Sequence, residues 1–214
     1  MEPADLKGSG LDLADLAERK QAMRRTAYDA RNAQEEKDRI SALAVHRLLE
    51  LPDYQRARTV MWYIDCRSEL RTRQALTGLL TGGQTIVVPY CTVDEQGQNK
   101  LGLWRLEQFE DLVLGKWKIL EPPQDRWLEP DRVVRPEELD AVVVPGVGFS
   151  RTGARMGNGQ GYYDRLLDQV RRDCCLLALC YESQLFEDLL VGPHDVFMDW
   201  VVTEQAAYRG RSRG

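Results

Sequence analysis

From Arg155 to Arg165 the chain reads Arg-Met-Gly-Asn-Gly-Gln-Gly-Tyr-Tyr-Asp-Arg, and these are residue types that phosphate chemistry uses. Glycines alternate at 157, 159 and 161, so the backbone can turn tightly and offer its N–H groups to an anion. Arg151, Arg155 and Arg165 supply cations, and Asp164 supplies a hard oxygen ligand of the kind Mg2+ takes. Ahead of the glycines an apolar run, Ala141 to Val144, stops at Pro145-Gly146; after them an amphipathic segment runs through Leu166, Leu167 and Val170. The stretch reads as buried strand, glycine-rich loop and helix, with a helix N-terminus adding a positive dipole end. Neither the Gly-Lys-Ser/Thr ending of a P-loop nor the glycine spacing of a dinucleotide fold is present. A loop that merely makes a tight turn is the plain alternative. The flanking arginines and the acid favour a ligand.

The surrounding chain must supply a scaffold, and its pattern alternates helix and strand. Asp15 to Arg31 reads as a basic helix bearing Arg19, Lys20, Arg24, Arg25 and Arg31. A second helix spans about Gln34 to Glu50, with Ile40, Leu43, Ala44 and Leu48 at helical spacing. Thr59 to Ile64 reads as a strand, Leu70 to Leu80 as a helix, and Ile86 to Pro89 as a buried strand. A polar turn at Asp94-Glu95-Gln96-Gly97 leads to Leu101–Leu106. Residues 107–138 read as irregular, Leu176–Tyr181 as a buried strand and Val196–Val202 as a last strand. The expected architecture is a single-domain, Rossmann-like α/β sandwich, with a mostly parallel central sheet and helices on both faces.

Composition narrows the function classes. At 214 residues and 43% hydrophobic content, one domain over residues 11–208 is expected, with loose ends at 1–10 and 209–214. No apolar run has membrane-spanning length and the first ten residues have no signal-peptide core, so a cytoplasmic protein without a membrane partner is expected. A net charge of −5 argues against nucleic acid. The five cysteines (66, 91, 174, 175 and 180) form no CxxC pair, which favours free thiols over a metal or disulfide framework. The two histidines, His46 and His194, cannot be matched to a nucleophile such as Cys66, Ser68 or Ser150, which argues against a triad hydrolase.

The glycine segment resembles the signature of 5-formyltetrahydrofolate cyclo-ligases, also called methenyltetrahydrofolate synthetases. Their pattern is a strand ending Pro-Gly, a Phe-Asp, then Arg-Leu-Gly-x-Gly-x-Gly-Tyr-Tyr-Asp. Here it stands as Pro145-Gly146, Phe149-Ser150, then Arg155-Met156-Gly157-Asn158-Gly159-Gln160-Gly161-Tyr162-Tyr163-Asp164. Ser150 replaces the usual Asp. Asn158 and Gln160 occupy positions that are basic in some members, so backbone contacts are what the resemblance implies there. It extends over roughly Glu18 to Glu204. Lys20-Gln21-Ala22-Met23-Arg24 resembles a Lys-x-x-Leu-Arg element whose Lys and Arg contact nucleotide phosphate. Lys20 and Arg24 share a helix face, and a solvated basic face is the alternative for them.

In Ser68-Glu69-Leu70-Arg71-Thr72, Glu69 matches an acid that binds the folate pterin, a job for a group that accepts two hydrogen bonds from an amino-pyrimidine edge. Its alternative is an acid complementing a helix N-terminus. Ile64 matches an apolar residue of the same pocket. Trp117 matches an aromatic packed on the folate, or else plugs its own loop. Gln184 and Pro193-His194-Asp195 also match, Asp195 with a second acid that reaches the metal in some members.

The resemblance implies ATP- and Mg2+-dependent closure of 5-formyltetrahydrofolate to 5,10-methenyltetrahydrofolate, in a monomer. Lys20, Arg24, Arg155 and Asp164 are the expected catalytic set. ATP falls to these cations and to Gly157, Asn158, Gly159, Gln160, Gly161, Tyr162 and Tyr163. The folate falls to Ile64, Glu69, Trp117 and Tyr162, and the metal to Asp164 and Asp195. Two other readings stand beside it: a non-catalytic folate- or nucleotide-binding module on the same scaffold, and a sugar-phosphate isomerase or CoA-transferase-like enzyme.

Overall fold

A computed structural model describes residues 13–115, 118–190 and 196–211. The chain opens with a long helix, α1 (Leu13–Ala33), and a shorter one, α2 (Lys37–Leu49). Glu36 separates them in a left-handed conformation, φ 48°. A one-turn helix, α3 (Pro52–Arg56), starts with proline at its first position, where no N–H is needed. It leads into β1 (Thr59–Met61), then α4 (Arg73–Leu79), β2 (Thr85–Val93) and β3 (Asn99–Leu106). The stretch after β3 holds a small hairpin of β4 (Val113–Leu114) and β5 (Leu120–Glu121), with short 3-10 turns around it. Next come β6 (Ala141–Val144), a two-stranded ribbon of β7 (Gly148–Phe149) and β8 (Arg155–Met156), and α5 (Tyr162–Leu167). The chain ends with β9 (Cys175–Leu179), β10 (Trp200–Val202) and β11 (Ala207–Arg209).

Seven strands form the main sheet in the order β11-β10-β9-β6-β1-β2-β3. The five inner strands are parallel, with Val60 opposite Ile86 on one side and Ala141 on the other. β3 and β11 add antiparallel edges. The inner strands are buried on both faces, which is why Ala141–Val144 reads as an unbroken apolar run. One face packs Val60, Val88, Val143 and Leu179 against α2–α4 through Ala44, Leu48, Tyr54 and Leu76. The other packs Met61, Val142, Val144 and Leu176 against Leu166 and Leu167 of α5. The expected mixed α/β layering is thus observed. No helix among the described residues is long and apolar enough to cross a membrane.

The chain leaves β1 to one side, for β2, and later returns to its other side as β6. The crevice at the carboxyl ends of β1 and β6 is therefore a topological switch point, the place where open α/β sheets hold ligands. α1 packs at this end: Ala27 meets Val147, Ala154, Met156 and Leu189 in a small separate cluster.

Some elements are shorter than the sequence pattern suggests. The helix expected from Leu70 begins at Arg73. Asp65 draws the chain back: its Oδ1 accepts the N–H groups of Thr72 and Arg73, both at 2.9 Å, and Thr72 Oγ1 donates to Tyr63 O. Residues 66–71 are pinched out as a turn at the mouth of the crevice. The strand expected from Val196 is limited to Trp200–Val202, because the N–H of Met198 is given to Gly153 O instead. The helix after the glycine loop has six residues rather than reaching Val170.

Asp65 has a wholly buried side chain that also meets Arg71 and Arg73 at 3.4 and 3.0 Å. Burial pulls its carboxyl up, but hydrogen bonds from Arg73 and from the Arg73 and Thr72 backbones outweigh this and hold it below its ordinary value. A depressed folded-state pKa contributes stability above the unfolded value, and that contribution is lost as pH falls through the folded one. Asp65→Asn is expected to cost about 2–3 kcal/mol at neutral pH. In chemical denaturation, the gap between wild type and variant should shrink below about pH 4, where the unfolded carboxyl protonates.

Candidate functional site

The glycine loop, residues 157–161, runs from β8 into α5. Gly159 and Gly161 take φ of +84° and +70°, so these glycines supply left-handed backbone at two of the three alternating positions. Gly161 caps α5, which is too short for its dipole to dominate. Anion binding would rest on loop N–H groups and side-chain cations. Among the described residues, the N–H groups of 157–161 donate to no protein acceptor.

α1 reaches the loop from 133 residues away in sequence: Arg24 Nε donates to Gly157 O at 3.1 Å. Its guanidinium also approaches Gly159, where an added Cβ would meet it at 3.5 Å. Tyr28, one turn on, donates its hydroxyl to Asn158 Oδ1. Asn158 is therefore engaged by α1 through its side chain. Lys20 is half-buried one turn before Arg24, and among the described residues no hydrogen bond joins it to the loop. Arg155 forms an ion pair with Asp164; its side chain is 6% exposed and that of Asp164 66%. Arg165 ties the far side of the loop down, donating to Gln160 O at 2.9 Å and to Asn99 O on β3.

The second half of the crevice is built around Glu69, on the turn that Asp65 pinches out. Its Oε2 accepts the Cys66 N–H at 3.0 Å, and its Oε1 lies 3.7 Å from Arg31 of α1. Burial raises the Glu69 carboxyl above its ordinary value, and the Cys66 N–H and the Arg31 charge pull it back. Ile64 is buried where the chain leaves β1. Burial pushes the hydroxyls of Tyr63 and Tyr163 well above their ordinary range, with the Glu69 charge adding to both. They stay protonated at neutral pH. Arg155 lies over the Tyr163 ring at 5.8 Å, so Tyr163 stands between the glycine loop and Glu69. Tyr162 turns to Cys91 of β2 instead, with which it shares a hydrogen bond. The Cys66 thiol is pushed up to about 12 by burial and by Glu69, which removes it as a nucleophile at neutral pH.

Arg24, Arg155, the glycines, Asp164, Ile64, Glu69 and Tyr163 thus gather at one end of the sheet. Trp117 and Asp195 lie outside the described residues. Arg31 is the residue that sequence reasoning passed over, counted only as part of a basic face. It is 3% exposed. The available signal was its place one face-repeat beyond Arg24 on the same helix, at spacing of seven residues. Gln184, matched but given no role, donates to Gly146 O and Val147 O at 3.1 and 3.0 Å and so shapes the loop after β6.

Comparison with known proteins identifies the family. A model of the 5-formyltetrahydrofolate cyclo-ligase family matches residues 16–204. The chain is 31% identical over 146 residues to the 5-formyltetrahydrofolate cyclo-ligase of Mycolicibacterium smegmatis, covering 68% of this chain and 73% of that one. It is 30% identical over 171 residues to the Escherichia coli cyclo-ligase, covering 79% and 90%. Among solved structures, the NMR structure of Aquifex aeolicus 5,10-methenyltetrahydrofolate synthetase matches with a TM-score of 0.74 at 30% identity, over 91% of this chain and 96% of that one.

Ser150 explains itself in this setting. It is buried, and its Oγ accepts the Ala154 N–H at 3.1 Å and meets Thr152 Oγ1 at 2.8 Å, closing the turn that carries β7 into β8. An aspartate oxygen can accept the same N–H. Ser150→Ala leaves that buried donor unsatisfied and is expected to cost about 1–3 kcal/mol in thermal or denaturant unfolding. Ser150→Asp, which restores an acceptor, should lose less.

Proposed function

The chain belongs to the 5-formyltetrahydrofolate cyclo-ligase family, and we propose that it closes 5-formyltetrahydrofolate to 5,10-methenyltetrahydrofolate at the expense of ATP, releasing ADP and phosphate. The observation that carries this reading is that α1 touches both halves of the crevice, with Arg24 on Gly157 and Arg31 beside Glu69. A phosphate donor and a pterin held there would face each other across Tyr163.

The chemistry needs cations and alignment more than it needs a base. A formamide oxygen is a poor leaving group. Transfer of the γ-phosphoryl group to that oxygen releases ADP and gives an imidate-like phosphate; N10 then attacks the activated carbon and gives its proton to solvent, and phosphate departs with the former formyl oxygen. During transfer, negative charge spreads over the phosphoryl oxygens, and fixed positive groups stabilise it. Arg24, Arg155 and Lys20 supply that charge, and the N–H groups of 157–161 supply donors. Glu69 holds the amino-pyrimidine edge of the pterin, so the formyl oxygen is presented in line. Ile64 and Tyr163 wall the pocket, while Tyr162 closes it toward β2. Trp117 is proposed as the aromatic cover of the folate.

Mg2+ fits Asp164, an acid beside the loop. It binds through one or two carboxylates plus substrate phosphates and water, not through an all-protein cage. Among the described residues no group of three or more His, Cys, Asp or Glu side chains could hold a metal. Asp164 is exposed and hard, and Asp195 is proposed as the second acid. Bound there, Mg2+ would neutralise phosphate charge. Arg155, which holds Asp164 here, would then turn to the phosphates.

Formation of the methenyl chromophore from 5-formyltetrahydrofolate and ATP, followed by absorbance, tests the activity directly. Its absence with intact folate binding would leave the non-catalytic module as the better reading. Asp164→Ala should abolish this turnover while leaving the fold intact, because the Asp164 carboxylate is itself exposed. Near-normal turnover at saturating Mg2+ would remove Asp164 from the site.

The double variant Lys20→Ala/Arg24→Ala should raise the ATP KM and lower kcat together, since charge must be balanced in the transition state as well as on binding. Folate affinity measured without ATP should hardly change. Wild-type ATP kinetics would return this end of α1 to a solvated basic face.

A further inference from the structure

Arg31 does no phosphate work in this arrangement, yet it is the most buried charged group of α1 among the described residues. Its Nε donates to Ser68 Oγ at 3.1 Å and its Nη1 donates to Gly146 O at 3.3 Å. The guanidinium lies 5.0 Å from the centre of the Tyr28 ring, whose hydroxyl holds Asn158 of the glycine loop. Ser68 follows β1 and Gly146 follows β6, so Arg31 spans the switch point of the sheet. From there it faces Glu69 Oε1 at 3.7 Å. This is ion-pair distance but too long for a good hydrogen bond. Oε2 is anchored by the Cys66 N–H. A carboxylate offers about four acceptor positions. Glu69 is therefore aimed and charge-balanced while keeping acceptor capacity for a ligand.

We infer that Arg31 is a positioning residue that fixes the Glu69 carboxylate for the substrate's amino-pyrimidine edge. The inference rests on the proposed reading of Glu69 as the pterin acceptor. It gives α1 two separate jobs: its Lys20–Arg24 turn serves the phosphates, and its last turn serves the folate. A buttress of the fold would have no reason to hold the Arg31 guanidinium 3.7 Å back from Oε1. A ligand holder does, because a guanidinium bonded to both oxygens would compete with the substrate for them.

The groups that face Glu69 set what its protonation should do when Arg31 is removed. Asp65 and Cys66 come from its own turn and Arg31 from α1. Tyr63 comes from the end of β1, Tyr163 from α5 and Tyr181 from the end of β9. Tyr181 also donates to the Glu69 carbonyl at 3.2 Å. Burial already raises Glu69, and Arg31 is one of the influences that lower it. Without Arg31 the carboxyl should protonate at higher pH, and folate binding, which needs the charged acceptor, should weaken from the acid side.

The test is a double-mutant cycle of Arg31→Met, Arg31→Lys, Glu69→Gln and Arg31→Met/Glu69→Gln in full-length protein. Steady-state kinetics would be measured for both substrates across pH, with folate binding by calorimetry. Arg31→Met should raise the folate KM by at least about tenfold with the ATP KM within about twofold, and the acid-side rise of folate KM should move to higher pH. Arg31→Lys should recover part of the loss. The double variant should match Glu69→Gln in folate KM within about twofold, because the arginine acts through the carboxylate.

Folate losses that multiply in the double variant, or an Arg31→Met defect confined to ATP, would overturn the inference. If Arg31→Met fails to fold for want of a partner for the buried charge, two comparisons still decide. These are Arg31→Lys against wild type, and the charge-neutral double variant against Glu69→Gln. Wild-type protein that neither binds nor turns over 5-formyltetrahydrofolate would remove the proposed function and this inference with it. An active wild type with an additive cycle removes the inference alone.

Discussion

A carboxyl group can be buried only if something in the protein replaces the water it gives up. Glu69 sits at the crossover between β1 and β6 under that constraint. The Cys66 N–H meets one oxygen, and Arg31 balances the charge from 3.7 Å. Arg31 must itself be satisfied, which fixes Ser68 and Gly146 around it. The last turn of α1 is therefore pinned to the carboxyl ends of two central strands. The same helix crosses the glycine loop, where Arg24 lands on Gly157 and Ala27 packs against Val147, Ala154 and Met156. The buried charge pair, the Ala27 cluster and the Arg24 bond together place the 21-residue helix.

The scaffold beneath is rigid at the points this placement needs. Asp65 binds the backbone of Thr72 and Arg73, so the turn bearing Glu69 cannot extend α4. Gln184 takes two carbonyls of the loop after β6, and Tyr181 Oη reaches back to Glu69 O. Backbone packs directly on backbone where β7 and β8 approach β10. A Cβ at Gly153, which has φ +96°, would stand 2.4 Å from Met198 O. Only glycine fits both the conformation and the space there.

The two halves of the crevice differ in solvation, and the difference suits the ligands proposed for them. The Glu69 half is dry: Ile64, Tyr63 and the Arg31 guanidinium are buried, and the tyrosine hydroxyls stay protonated. A flat heterocycle can be recognised there by a small number of directed hydrogen bonds. The loop half is open, with Asn158, Gly159, Gln160 and Asp164 exposed. A hydrated triphosphate and its metal, as proposed for this half, would need that access. Tyr163 and the Arg155 over its ring form the boundary, so charge on one side and an apolar ring on the other meet between the two proposed ligand sites.

Much of this was legible in the chain itself. The apolar run Ala141–Val144, the glycines at 157, 159 and 161, and the Arg-to-Asp164 segment specified a strand, a loop and a helix, because backbone freedom and burial are local properties. The Glu69 and Lys20–Arg24 elements were recognisable by resemblance. The pattern could not show where α4 begins, since the stop comes from a carboxylate seven residues earlier folding back on Thr72. Nor could it show that Ser150 closes a turn or that Tyr162 and Tyr163, adjacent in sequence, face different partners. Arg31 is the clearest case. Along the helix it is one of several basic residues, indistinguishable from its solvated neighbours. It becomes a buried partner of Glu69 only because the sheet crosses over between β1 and β6, bringing residues 31, 69 and 146 together. Residue type and periodicity decided the elements; contacts between groups distant in the chain, the apolar clusters and the buried Arg31–Glu69 pair among them, exist only in the folded chain and decided how the elements meet.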